Sequence, residues 1–384
     1  MTASIPNTPI VESRFEQLFI DIKVAKQQLA DEKMSPAARK IVPTRELLAV
    51  EKQAREEKKA NQEIAEGYLE RISTKLHKDI AQQLAEALED QEHIVSKVLG
   101  IDTVIPQILD LLSVKACTVS RLETLATDIP WLYKDLVKMI NSPKYQRRDS
   151  KNQVLTADTL RVALSFFGIE NLKMIVPFLT IRRCLPQITD PYPQIKRRVW
   201  EQSIATAMSS KRLASISKVN ENQAFTAGML QSLGTIAVVK LYFRLFDQVQ
   251  LDALKEAQST HKHQRHGALT RVEPSGDVLL SLINKHAATA TANIIEHMKF
   301  SRLVMHGAFE ELAAKVPPKD PLPLTTVLTQ GNAYAKYRIL KFHDLVSNDE
   351  ARDYLRSFAF PVGSLEALKT TDMRSIGLEA ENSA

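Results

Sequence analysis

The chain has 384 residues, 44% of them hydrophobic and 25% charged, with a net charge of +6 and an isoelectric point near 9.1. That length allows one large domain or two modest ones, and the balance excludes a disordered, collagen-like or disulfide-scaffold chain. The basic excess is mild, so it argues only weakly for an anionic partner.

Glycine is scarce, at 11 residues, and alternating Val/Ile/Tyr runs are rare. Both features predict an all-α chain. Cys117 and Cys184 lie far apart, among apolar neighbours. They form no zinc spacing and no disulfide framework, and read as buried small hydrophobes. The first residues, MTASIPNTPIVESRFEQ, lack a basic stretch followed by an apolar one. No apolar run reads as long enough to cross a bilayer. A cytoplasmic protein is expected.

Residues 1–100 form a zone of their own. Val11–Ala30 carries Phe15, Leu18, Phe19, Ile22 and Val24 near helical spacing, which predicts an amphipathic helix. Pro36 and Pro43 break it. Arg45–Leu99 is nearly free of Gly and Pro and predicts one or two long helices. Its charged first part reads as a solvated face. Its second part places Ile64, Tyr68, Ile72, Leu76 and Ile80 four apart, a stripe expected to pack in cis, with a coiled-coil dimer as the other option.

From residue 101 the chain is a run of amphipathic helices. Polar or Pro-rich loops are expected at 142–152, 185–194, 259–277 and 316–324. A polar tail is expected from 371 to 384. Trp131 and Trp200 fall within apolar patterns and read as core anchors.

Several phrases of residues 101–370 carry a resemblance to a known family. They are VIPQILDLL (Val104–Leu112), LATDIPWLYKDLVKMINSPKYQ (Leu125–Gln146), TLRVALSFFGIENLKMIV (Thr159–Val176), VWEQSIATA (Val199–Ala207), AFTAGMLQSLG (Ala224–Gly234) and VLTQGNAYAKYRIL (Val327–Leu340). In this order they resemble the HD-related output domain, or HDOD, of bacterial signalling proteins. The resemblance implies an all-α fold with an HD-like helical core, preceded here by an N-terminal helical extension. It also implies that the metal site is degenerate. The HD superfamily places His and Asp in a phrase close to AGLLHDIG, where this chain has Gln231 and Ser232. Another His position of that superfamily is held here by Gln202. His286, in HAATATANII, fills a further family His position.

Amide oxygens and hydroxyls are weak neutral donors beside the carboxylates and imidazoles that normally hold a catalytic divalent metal. No metal, cofactor or catalytic residue is therefore expected. The resemblance favours a non-enzymatic signalling or scaffold protein that acts through a protein partner, with dimerisation open. The alternatives are a divergent metal-dependent phosphohydrolase and a sensor that binds a nucleotide without cleaving it. Arg182, Arg183, Arg197 and Arg198 bracket a Pro-rich turn and form a candidate anion-binding surface, with Arg147, Arg148 and Lys151 in an earlier loop. No DNA-binding motif is present. His261, His263 and His266 read as a solvated basic loop. His306 and Glu310 share a helix face by spacing alone. His343-Asp344, the one literal His-Asp pair, lies outside the expected phrase and reads as incidental.

Overall fold

The computed structural model describes residues 8–33, 49–143, 145, 156–314 and 318–378. Arg147, Arg148 and Lys151 lie outside the described residues. Among the described residues the fold is all-α, with no strand.

The chain opens with α1 (Thr8–Ile20) and α2 (Ile22–Lys33). One helix was expected over this stretch. Asp21 divides it, because its carboxylate accepts from the backbone N–H of Lys23 at 2.8 Å and so starts a new helix. Next comes the long α3 (Ala49–Ala87), then α4 (Gln91–His93), which runs into a π-turn at Ile94–Leu99. Gly100 ends that turn at φ 71°, a conformation that suits glycine. The second half of the α3 stripe does pack in cis: Leu76, Ile80 and Leu84 are buried, and α3 lies against a later helix, α11. Ile64, at the other end, is 66% exposed.

Helices α5 (Ile105–Ser113), α6 (Val119–Ala126) and α7 (Pro130–Ile140) follow, then α8 (Leu160–Cys184), which Gly168 bends at φ 71°. Asp110 on α5 is buried. It accepts from the backbone N–H groups of Ser301, Arg302 and Leu303 at 2.6, 3.0 and 2.9 Å, and from the Ser301 hydroxyl. Burial pushes its carboxyl up, but these donors outweigh burial and hold it below its ordinary range.

The central helices are α9 (Gln194–Ser217), α10 (Glu221–Leu230) and α11 (Leu233–Ser259). After them come α12 (His263–Leu269), α13 (Gly276–His297), α14 (His306–Ala313), α15 (Pro323–Phe342), α16 (Asn348–Arg356) and α17 (Ser364–Lys369). The segment 259–277, expected as a loop, contains α12. Its buried Leu269 gives that short helix a reason to form. The expected polar tail also needs correction. Met373 and Ile376 are buried in the main core, so the described part of the tail is packed.

One hydrophobic core runs from Phe19 to Ile376 and includes Leu76, Ile80, Leu84 and Leu88 of α3. Packing is therefore continuous across residue 100. A second cluster joins α1 and α2 to the other end of the chain, with Val11, Phe15 and Leu18 against Leu340, Leu345 and Tyr354. A buried ion pair fixes this contact. Arg14, 2% exposed, donates to the Leu345 carbonyl at 2.8 Å and to Glu350 Oε1 at 2.7 Å.

Two helical stretches, Leu160–Cys184 and Glu221–Ser259, are long and apolar enough to cross a membrane by length and composition. The sequence reading had found none. In the fold both stretches face other helices over most of their windows. Their apolarity serves the core.

Candidate functional site

The helix crossings that build the centre depend on small residues. A Cβ added at Gly234 would lie 1.9 Å from the Ala287 carbonyl oxygen, so α11 can meet α13 this closely only through glycine. A Cβ at Gly228 would lie 2.7 Å from Ala207 Cα, which gives α10 and α9 the same dependence. Thr291 on α13 locks the junction between α10 and α11. Its Oγ1 accepts from the Gly234 N–H at 3.0 Å and lies 2.9 Å from the Ala287 carbonyl oxygen, to which it donates.

These crossings leave a cavity of ≈ 340 Å³ between α9, α13 and α15 and the turn joining α10 to α11. Gln202, Gln231 and Ser232 all line it. The structure thus brings Gln202 to the adjacent pair Gln231 and Ser232, which lie far from it in sequence. Gln202 donates through Nε2 to Asn332 Oδ1 at 3.0 Å. Ser203 donates to the Ser232 hydroxyl at 2.8 Å, and Ser232 to the Met229 carbonyl at 3.1 Å. Gln231 Oε1 is buried without a hydrogen-bond partner.

His286 does not join this set. The wall from α13 is formed by Asn284, Ala287, Ala288 and Thr291, one helical face by spacing. His286 is one residue, about 100° of helical rotation, away from Ala287. Its Nε2 is buried without a partner, and burial followed by nearby Lys285 lowers its pKa from the usual histidine value.

Sequence reasoning missed the rest of the lining. Asn332 and Lys336 come from the closing helix, α15, and Thr206 from α9. Their signal was a polar residue one turn from a motif position. Phe15, Glu16 and Phe19 come from α1, which lies over the cavity. Lys336 is paired with Glu12 of α1 and sits 5.5 Å from the Phe15 ring centroid. Glu12 also accepts from the Tyr354 hydroxyl at 2.5 Å. Nothing local in the sequence links these positions.

The four arginines do not form one surface. Arg182 and Arg183 line a groove beside Asp135 and Tyr145, and the Arg183 guanidinium lies 4.9 Å from the centroid of the half-buried Trp131 ring. Trp131 donates to Asp102 at 2.8 Å, so it stands at the edge of the fold and is not a central anchor. Arg197 lines a different groove, along α9 and α15. Arg198 is 3% exposed and contacts Glu201 at 2.6 Å and His343 Nε2 at 2.8 Å. His306 lies at the surface, 3.5 Å from Glu310 Oε2 and 3.9 Å from Glu296 Oε2.

Residues 100–281 match the HDOD domain family model. The match marks an HDOD domain within residues 100–281. The matched segment includes α5 to α12 and the first turns of α13, so it holds Gln202, Gln231 and Ser232, while α1 and α15 lie outside it. A solved structure from Shewanella amazonensis, described as "Putative metal-dependent phosphohydrolase", is similar at 14% identity over 74% of this chain and 99% of that one, with a TM-score of 0.40. No curated protein matches the chain.

The HD superfamily implies a divalent metal at this position of the HDOD domain. The donors present do not fit one. Gln202, Gln231, Ser232 and Asn332 offer amides and hydroxyls, and the lining carboxylate, Glu16, comes from α1. Among the described residues no three His, Cys, Asp or Glu side chains gather closely enough to hold a metal ion.

Proposed function

We propose that this protein is a non-catalytic signalling or scaffold protein of the HDOD type, with a degenerate HD site, that acts through contacts with another protein. One observation carries the reading. Gln202, Gln231 and Ser232, the positions that the resemblance marks for metal ligands, line one cavity as neutral side chains, with Gln202 bonded to Asn332 and Ser232 to Ser203. A divalent metal site needs strong donors, and neutral amides and hydroxyls stand at Gln202, Gln231 and Ser232 in place of imidazoles and carboxylates. The helices keep the geometry of a site while the side chains act as structural polar contacts.

Two further readings belong to this proposal. The protein is bacterial and cytoplasmic, which the family resemblance and the burial of its two most apolar helices support. Its partner is a signalling protein, and the match of residues 100–281 supports this through the domain type alone. A nucleotide sensor in the central cavity has less support, since Lys336, the cation of the cavity lining, is already paired with Glu12.

The test is elemental analysis of the purified full chain for iron, manganese, zinc and magnesium, together with hydrolysis assays on phosphodiesters and nucleotides. We expect metal far below one equivalent and no turnover. Stoichiometric metal or turnover that disappears in Gln231→Ala or His286→Ala would sink the proposal.

A further inference from the structure

Helix α9, within the matched segment, and α15, outside it, also border a second concavity, apart from the central cavity. It is a groove of ≈ 720 Å³, closed on its third side by the chain segment 371–374. Its chemistry differs from that of the cavity. Arg197, Arg338, Lys341 and Arg374 line it, against the carboxylates of Glu201 and Asp372. Trp200 and Phe342 add aromatic surface.

Each charged group is held in a particular way. Glu201 is shared between Arg197 at 2.7 Å and the buried Arg198 at 2.6 Å, so one carboxylate serves two guanidinium groups. Asp372 accepts from the Arg374 backbone N–H at 2.9 Å and from the Ser375 hydroxyl, which commits it to the local turn. Lys341 donates to Asn348 Oδ1 at 2.8 Å, a neutral acceptor that leaves its charge uncompensated. Arg338 lies near the Tyr334 side chain, another neutral group, whose hydroxyl is buried without a hydrogen-bond partner. The Arg374 guanidinium lies 4.2 Å from the centroid of the Phe342 ring. Phe342 is 56% exposed, unusual for so large an apolar side chain.

Positive charge and planar faces therefore share one groove, whose size falls within the range of small-molecule sites. Arginine forks match phosphate oxygens, and guanidinium and aromatic faces stack on nucleobases. We propose that this groove binds a nucleotide carrying two or more phosphates. The phosphates take Arg197, Arg338 and Lys341. The base stacks on the platform made by Phe342 and Arg374. An inorganic anion would leave the aromatic half idle, and a nucleoside would leave the cationic half idle. The site makes no demand on the chemistry of the central cavity, so it stands whether or not the non-catalytic reading holds.

The experiment is isothermal titration of the full chain with ADP and with GDP. Adenosine, inorganic pyrophosphate and an oligoglutamate peptide serve as partial probes. Saturable binding of at least one nucleotide is expected, weakened at least tenfold in the double variant Arg338→Ala/Arg374→Ala. Gln231→Leu, in the central cavity, should leave the affinity unchanged, and adenosine should give no saturable heat. Thermal melting of the double variant checks that it folds, and Arg338→Lys should fall between wild type and double variant. Absence of nucleotide saturation, or equal affinity in the double variant, overturns the proposal. So does pyrophosphate binding as tightly as ADP, or oligoglutamate binding where neither nucleotide does. Metal content and hydrolysis do not enter this test, so its failure is distinguishable from failure of the functional reading above.

Discussion

The central cavity and the outer groove are both walled by α9 and α15, yet they are opposites in character. The cavity has amides and hydroxyls that bond to one another, and α1 lies over it. The groove has more cations than carboxylates, with Lys341 bonded to a neutral amide, and an exposed aromatic ring. Different faces of the same two helices have taken up different tasks. Polarity in the cavity is mostly satisfied internally, Gln231 Oε1 excepted, whereas the groove carries an excess of positive charge. The family phrases mark the cavity, and the unspent charge lies in the groove.

The largest effect that would sharpen this contrast is expected at Gly234. Gly234→Ala forces α11 off the Ala287 carbonyl and should cost about 3 kcal/mol in chemical denaturation, near the upper end for overpacking. Arg374→Ala, in the groove, should fall within about 0.5 kcal/mol of wild type. Equal costs at the two positions would erase the distinction between a close-packed cavity and a surface groove.

Next is the cover over the cavity. Glu350→Ala removes a carboxylate bonded to the buried Arg14 guanidinium, and should weaken α1 docking by about 2 kcal/mol. Hydrogen exchange over residues 8–20 reads this directly. Acid should act in the same direction. The Arg14 guanidinium bonded to Glu350 holds its carboxyl at about 2, against an ordinary value of 4.5. The folded-state value is depressed, so the contribution is complete above the unfolded value and is lost as pH falls from about 4.5 through 2. Protection of α1 that stays flat across that window, after correction for intrinsic exchange, would contradict this account.

Smaller changes are expected inside the cavity. Gln231→Leu removes a buried acceptor that has no partner and should be neutral or raise the melting temperature by roughly 1–2 °C. A large loss of stability would mean that Oε1 has an unrecognised partner. The smallest effect is expected at His286. Because it sits beside the cavity and not in its lining, His286→Ala should leave ligand and metal binding unchanged and stability within about 0.5 kcal/mol.

Much of this contrast was legible in the sequence. Helical periodicity identified the all-α class, and the ordered phrases predicted that Gln202, Gln231 and Ser232 would meet. Both signals survive because each phrase lies on one helix or one tight turn, where spacing fixes direction. His286 was misplaced because a helix turns about 100° per residue, so a loose alignment selects the wrong face. The arginines failed as a group for a related reason. Adjacent positions such as Arg197 and Arg198 face different surroundings, one exposed and one buried. The stretch Val11–Ala30 read as a single helix because periodicity continues across Asp21, where a side-chain bond to the backbone breaks the helix. The cover by α1 left no local trace, since it depends on Lys336, Glu350 and Tyr354 far along the chain. Apolarity alone also could not separate a buried helix such as Leu160–Cys184 from one that crosses lipid.

The ion pair and hydroxyl contacts of α1 have a consequence for synthesis. Glu12 and Tyr354 are 342 positions apart. A ribosome adding about 5–20 residues per second needs roughly 17–70 s to reach the second partner after the first has emerged. For most of that interval the partners of Val11, Phe15 and Leu18 at Leu340, Leu345 and Tyr354 have not been made, and the nascent cavity lacks its α15 wall. Helix α1 is thus among the last of the described helices to find its place, and closure of the cavity reports that α15 and α16 have been made.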